Sequence, residues 1–365
     1  MPWSPNTWGI PEMPIHLLVA DDSALVRHAY RLIFAEDPGI VIVAEAANGR
    51  EAVELAVSRH PDLVLMDLDM PEMNGLESIA EIMAIAPTRI LVATEFPRFR
   101  GLDSTFEALS RGALELIRKP SIFPSAPGRQ YELRKLVQSL STVPVVPHVR
   151  NLQLQRQARH PSLSSPQWMG KPGIVVIGAS TGGPNVIQRL LGALPGNFPV
   201  PIVIVQHLLD DFSDEIIAWL GENSALEVVP AEPGTRLERG RVFVGVKKPH
   251  VVVSSLGILG HCAEPPRQGL CPSVDVLFES VATAFGARAI GVLLSGMGRD
   301  GAMGLKALRR AGAMTIAQSE ASCTVFGMPK AAIELEAVKK IVDAKDLAAE
   351  LIQLVEGLSI AHHKV

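Results

Sequence analysis

Apolar residues fall in short runs along two stretches of the chain. In the first they are Ile15–Ala20, Val41–Ala44, Leu63–Met66, Ile90–Ala93 and Leu114–Ile117, each the length of a buried strand. Between the first two, Leu25, Ala29, Leu32 and Ile33 share one helical face. Near-continuous apolar runs alternating with helix-period segments predict a parallel sheet covered by helices on both sides. From Gly173 the rhythm resumes, with runs at Ile174–Ile177, Ile202–Val205, Val242–Val246, Val251–Val253, Ile290–Leu294 and Thr315–Ala317. A second α/β domain is expected there. Val242–Val253, interrupted by Lys247-Lys248-Pro249, has a second reading as a hairpin attached to a parallel sheet. No repeat period or heptad is present.

Between the two stretches the character changes. From Arg134 to Lys171 there are six Lys or Arg, no Asp or Glu, and prolines at 144, 147, 161 and 166. This reads as a linker, either a solvated tether or a basic segment that docks on an acidic surface. The expected organisation is an extension over 1–13, an α/β domain over 14–121, a linker over 122–171, a second α/β domain over 172–356 and a tail over 357–365. A length of 365 residues accommodates two such domains.

Charge and cysteine content narrow the function classes. A net charge of -4 argues against a chain that neutralises a phosphate backbone, so no nucleic-acid partner is expected. The first thirteen residues contain no Lys or Arg and so lack the charged start of a secretory signal. No apolar stretch approaches the roughly 18 residues that span a bilayer, and a cytoplasmic location without membrane insertion is the simplest expectation. Cys262, Cys271 and Cys323 are odd in number and form no Cys-x-x-Cys pair, which fits free thiols. His261 beside Cys262 matches no usual zinc spacing.

Two sets of residues stand where chemistry gathers in α/β folds, beyond the carboxyl ends of strands. In the first, Asp21 and Asp22 follow one apolar run, Asp67 closes Leu63–Met66, Thr94 follows Ile90–Ala93, and Lys119-Pro120 follows the fifth run. Three carboxylates brought together repel unless a divalent cation sits among them, and oxygen-only ligands favour Mg²⁺. A carboxylate so held can attack a phosphoryl group while a lysine and a hydroxyl neutralise the transferred oxygens. Alone, each Asp after a strand is more often a turn former or helix cap.

In order and spacing, Asp21-Asp22, the segment Met66–Gly75 and Lys119-Pro120 resemble a two-component receiver domain. The resemblance implies that Asp67 accepts a phosphoryl group from a histidine kinase. It implies that Asp22, Asp67 and the carbonyl of Asp69, supported by Asp21, bind Mg²⁺, and that Thr94 and Lys119 sense the phosphoryl group. The pattern departs at Leu116, where receivers carry an aromatic, and at the bulky Glu95–Arg100.

In the second set, Gly178-Ala179-Ser180-Thr181-Gly182-Gly183 satisfies G-x-S-x-G, whose small residues turn sharply and present a serine at a helix start. His207, just past the next apolar run, is a candidate base, and Asp300 in Gly296–Gly301 a candidate orienting acid. His250 is the rival base and Asp275 the rival acid. Five segments in order resemble the catalytic domain of chemotaxis protein-glutamate methylesterases: Ile177–Gly183, Gln206-His207, Pro272–Phe278, Gly296–Gly301 and Ala317–Pro329. The resemblance implies a Ser180, His207, Asp300 triad with Thr181 and Met297 near the oxyanion, and no cofactor for the esterase reaction. It implies a phosphorylation-activated serine hydrolase that demethylates glutamate methyl esters on chemoreceptors, with glutamine deamidation as a second activity.

Two other readings fit less. A dinucleotide-binding oxidoreductase needs glycine where Ser180 stands and an acidic residue where the next run ends in Gln206-His207. A response regulator with a DNA-binding output needs a compact basic helical domain, and 173–365 alternates strands with helices instead.

Overall fold

The strand runs are rich in Leu, Ile and Val, and most are buried on both faces, as a helix-covered parallel sheet requires, with Val41 of the second run exposed. In the computed structural model, described over residues 14–94, 103–119, 127–143, 145, 173–208, 212–247 and 249–356, the chain divides into two compact units. The first runs β1 (Ile15–Ala20), α1 (Ala24–Ala35), β2 (Ile40–Ala46), α2 (Gly49–Arg59), β3 (Leu63–Met66), α3 (Gly75–Ile85), β4 (Arg89–Thr94), α4 (Asp103–Ser110), β5 (Glu115–Arg118) and α5 (Pro127–Ser141). Its five strands form one sheet in the order β2-β1-β3-β4-β5, every pair parallel. The order reverses between β1 and β3, which makes that crevice the expected ligand site. Side chains of Ser23, Asn48 and Asn74 accept the third backbone N–H of α1, α2 and α3 and so fix where each helix begins.

Two expectations need correction here. The buried face of α1 is Val26, Tyr30, Ile33 and Phe34, with Tyr30 stacked on Phe34, while Leu25 and Leu32 are exposed. Two apolar stripes run along this helix one residue apart, and periodicity alone did not separate them. The linker expected from residue 122 also starts too early. Leu136, Val137 and Leu140 of α5 are buried, Arg134 Nη1 donates to Ile33 O at 3.1 Å, and Gln138 Nε2 donates to Asp37 Oδ2 at 2.7 Å. Arg134, which packs its guanidinium on the end of α1, and the exposed Lys135 lent this segment its linker-like composition. Residues 122–126, 144 and 146–171 of the proposed linker, the extension, the tail, Glu95–Arg100 and Pro120 lie outside the described residues.

The second unit runs β6 (Ile174–Ala179), α6 (Gly183–Ala193), β7 (Ile202–Gln206), α7 (Ser213–Glu222), β8 (Glu227–Pro230), β9 (Arg241–Gly245), β10 (His250–Val253) and β11 (Leu259–Cys262). It continues through α8 (Val274–Phe285), β12 (Ala289–Leu293), α9 (Ala302–Arg310), β13 (Met314–Gln318), α10 (Met328–Glu334), β14 (Lys340–Val342) and α11 (Leu347–Glu356). Seven strands form an all-parallel sheet, β14-β13-β12-β6-β7-β9-β8. Every residue of β6, β7, β12 and β13 is buried. The edge strands β8 and β14 are mostly exposed and carry Glu227 and Lys340, which is why no apolar run announced them. The hairpin reading of Val242–Val253 does not hold: β9 lies in the main sheet, and β10 pairs antiparallel with β11 in a separate ribbon tied to α8 by Val253 N–H to Ser280 Oγ at 3.1 Å.

Candidate active site and phosphoacceptor pocket

The acidic residues of the first unit converge at its β1/β3 crevice. Asp67 N–H donates to Ala20 O at 2.8 Å, which seats the end of β3 beside the end of β1. Ligand oxygens of Asp21, Asp22 and Asp67 all lie within 4.8 Å of one another. Lys119, entering from the end of β5, places Nζ 2.7 Å from Asp67 Oδ2 and 2.9 Å from Asp21 Oδ2. Burial pushes the Asp67 carboxyl up to about 6, with Lys119 opposing the rise and Asp21 adding to it. One ammonium among three carboxylates leaves excess negative charge, and Asp67 Oδ1 is buried without a hydrogen bond. An all-oxygen donor set with an unsatisfied buried acceptor fits Mg²⁺.

The backbone around this pocket is tightly constrained. Gly75 N–H donates to Leu68 O, and a Cβ at Gly75 would sit 2.1 Å from Asp67 O, so the start of α3 approaches the acceptor loop as only glycine allows. Thr94 is buried at the end of β4, where its carbonyl accepts from Lys119 N–H at 3.0 Å. Asp22 and Asp69 stand exposed on the rim, and Leu116 is buried in β5.

In the second unit Ser180 and His207 follow adjacent paired strands, with Ala179 of β6 opposite Gln206 of β7. His207 N–H donates to Ala179 O at 3.0 Å, the last rung of the ladder. Ser180 enters a turn closed by Gly183 N–H to Ser180 O at 2.8 Å, with Gly182 at φ 77 capping α6 and Pro184 in its first turn. That places the serine at a helix N-terminus, where free N–H groups favour developing negative charge. His207 Nε2 lies 3.0 Å from Asp300 Oδ2, short in distance though not linear. Among the described residues Ser180 Oγ makes no hydrogen bond, as is common in resting sites whose bonds tighten only with substrate.

Asp300 is fully buried and held from behind by the start of α8. Its Oδ1 accepts from Ser273 Oγ at 2.7 Å and Asp275 N–H at 3.1 Å, and its Oδ2 accepts from Val274 N–H at 2.7 Å. Burial alone would raise its pKa, but the adjacent His207 imidazole and the donors at Ser273 and Val274 outweigh it and hold the carboxyl below the usual range. Asp275 moves the other way, raised first by burial, while its Oδ1 accepts Gly304 N–H at 2.7 Å at the start of α9. The rival acid is therefore a helix cap. The rival base is also accounted for: His250 is fully buried, its Nδ1 accepting from Ser273 N–H and its Nε2 facing Pro265 O.

Amino-acid comparison assigns a family to each of the two units. A response regulator receiver domain model matches residues 17–124 and a CheB methylesterase model residues 175–351. A protein-glutamate methylesterase/protein-glutamine glutaminase of Anaeromyxobacter dehalogenans is 40% identical over 94% of this chain and 98% of its own length. The chain belongs to the CheB methylesterase family. A Myxococcus xanthus relative of the same description is 38% identical over 94% of each chain. The crystal structure of the Thermotoga maritima CheB methylesterase catalytic domain aligns at 34% identity and TM-score 0.49, covering 50% of this chain and 99% of that domain.

Sequence alone assigns no role to three residues that shape this site: Ser273, Ser295 and Gln206. Ser295, fully buried just past β12, accepts Ser180 N–H on its carbonyl at 3.0 Å and donates its hydroxyl to Thr181 O at 2.8 Å. The same hydroxyl accepts Val325 N–H at 2.9 Å, and Ser295 N–H reaches Gln318 Oε1 at 2.8 Å. Ser295 thus stitches the turn bearing Ser180 to the loop bearing Met297. Thr181 is buried, and among the described residues its N–H donates to no partner, whereas Met297 is partly exposed. For Gln206 and Ser295 the available signal was a polar residue at the end of a buried strand; Ser273, at the start of α8, carried none.

Proposed function

We propose that Ser180, His207 and Asp300 form the catalytic triad with which this CheB-family chain hydrolyses glutamate methyl esters in chemoreceptors. The observation that carries the proposal is the placement of Ser180 and His207 at neighbouring strand ends, with a buried, ionised Asp300 3.0 Å from the imidazole. Asp300 holds one ring nitrogen protonated, leaving the other to take the Ser180 proton as Oγ bonds to the ester carbonyl carbon. Thr181 N–H, with the backbone at Met297, stabilises the tetrahedral oxyanion. Collapse breaks the bond to methoxide, His207 protonates it to methanol, and water attacks the acyl-serine by the reverse proton path to free the glutamate. A primary amide follows the same course with ammonia leaving, which accounts for glutamine deamidation.

Control of this reaction is assigned to Asp67, which accepts a phosphoryl group from a histidine kinase. Mg²⁺ held by Asp22, Asp67 and the Asp69 carbonyl, with Asp21 in support, would supply charge neutralisation for that transfer. Lys119 and Thr94 contact the transferred oxygens. No helix among the described residues is long and apolar enough to cross a membrane, and a cytoplasmic setting suits a chain that meets both kinase and receptor. The test offers purified protein a methylated receptor helix, a long-chain lipid ester and an ordinary peptide side by side, with mass spectrometry of products. Methanol release from the receptor alone is expected; efficient cleavage of lipid ester with the receptor untouched would refute the substrate assignment.

A further inference from the structure

We infer that Gln206 is a positioning residue of the esterase reaction, its carboxamide fixing the spacing between nucleophile and base. The inference rests on the triad proposed above. Sheet hydrogen bonding between β6 and β7 ends at His207 N–H to Ala179 O. Beyond that rung the ladder no longer ties Ser180 to His207, and the Gln206 side chain takes its place. Its Nε2 donates one hydrogen to Ser180 O at 3.0 Å and the other to His207 O at 2.7 Å.

The orientation of the amide is dictated by those two acceptors, since the flipped group would set Oε1 against both carbonyl oxygens. It is held at a cost: Oε1 is buried without a partner. The side chain is 1% exposed, and a Cβ on Gly183 would lie 2.6 Å from Oε1, so the first turn of α6 closes directly over it. One amide group therefore bridges the backbones of nucleophile and base and leaves both reactive side chains free.

The experiment uses full-length Gln206→Met, which keeps length and loses both donors, and Gln206→Glu, which keeps shape but when ionised sets a second acceptor where both donors stood. Methanol release, the rate of Ser180 sulfonylation by phenylmethylsulfonyl fluoride and Tm are measured on each, with Ser180→Ala alongside. A small misplacement of reacting groups costs on the order of 10–100-fold in kcat, with sulfonylation slowed in parallel. KM should stay within about twofold, because substrate contacts are untouched. In Gln206→Glu the ratio of variant to wild-type kcat should rise as pH falls, because the protonated carboxyl regains one O–H donor; Gln206→Met has no such rise. Lowered Tm with unchanged sulfonylation and a flat ratio would make Gln206 merely structural and overturn the inference. Should Gln206→Met fail to fold, the pH trend of Gln206→Glu decides. Methanol release retained by Ser180→Ala would instead overturn the triad itself, whatever the Gln206 variants do.

Discussion

Asp300→Asn is nearly isosteric, yet the surroundings of this carboxylate make it costly. Oδ1 serves Ser273 Oγ and Asp275 N–H, and Oδ2 serves Val274 N–H and the imidazole of His207. A carboxamide has one acceptor oxygen. Its least damaging pose turns the NH₂ toward Ser273, whose hydroxyl can rotate to accept, and leaves Asp275 N–H facing a donor. An unsatisfied buried donor costs about 1–3 kcal/mol, and weakening the charge-assisted bond to Val274 brings the loss to roughly 2–4 kcal/mol. Relief of Asp275 from a neighbouring negative charge offsets part of this. For a domain of this size the fall in Tm is then about 4–16 °C. Because the Asp300 carboxyl is held below its ordinary pKa, its contribution is present above the unfolded value of 3.8 and lost as pH falls through the folded one. The Tm gap between wild type and variant should accordingly be wide at pH 7.5 and close below pH 4. Activity should fall about 10⁴-fold, the scale seen when a triad histidine loses its carboxylate. Calorimetry across pH, paired with methanol release, checks both. A variant as stable as wild type at pH 7.5 and within tenfold of its activity would refute the role given to Asp300.

Ser273→Ala removes one donor but leaves the charge and two backbone N–H groups, so it should cost about 1.5–3 kcal/mol of stability and roughly tenfold in kcat, measured as for Asp300→Asn. Asp67→Asn should keep basal esterase activity but lose stimulation by a small phosphodonor with Mg²⁺, followed as methanol release with and without donor. The same variant should be more stable than metal-free wild type at pH 7.5. Asp67 titrates near 6 when folded against 3.8 unfolded, so the folded state gives up stability as pH rises between those values, by up to about 3 kcal/mol. The advantage should shrink toward pH 4.

Much of this was legible in the sequence because buried parallel strands advertise themselves. The runs ending before Asp21, Asp67, Ser180 and Gln206 are apolar at nearly every position, so the first polar residue after each marks the carboxyl edge where sites form. Helix faces were less legible. In α1 the Leu25 and Leu32 stripe is as apolar as the buried one, and only the packing of Tyr30 and Phe34 decides between them. The helix α5 was hidden by basic residues that read as linker, one of which, Arg134, packs against α1. The roles of Ser273, Ser295 and Gln206 depend on contacts between segments 23 to 114 residues apart, which no local pattern encodes. Asp275 and Asp300 illustrate the same limit: both follow plausible motifs, and only the structure shows which one faces the imidazole.

The most direct test of the account is methanol release from a methylated receptor by wild-type protein and Ser180→Ala, each shown folded by calorimetry. The account predicts that Ser180→Ala loses activity by several orders of magnitude, on the order of 10⁶-fold for a triad nucleophile, at unchanged Tm. A folded Ser180→Ala protein that releases methanol at the wild-type rate would contradict it.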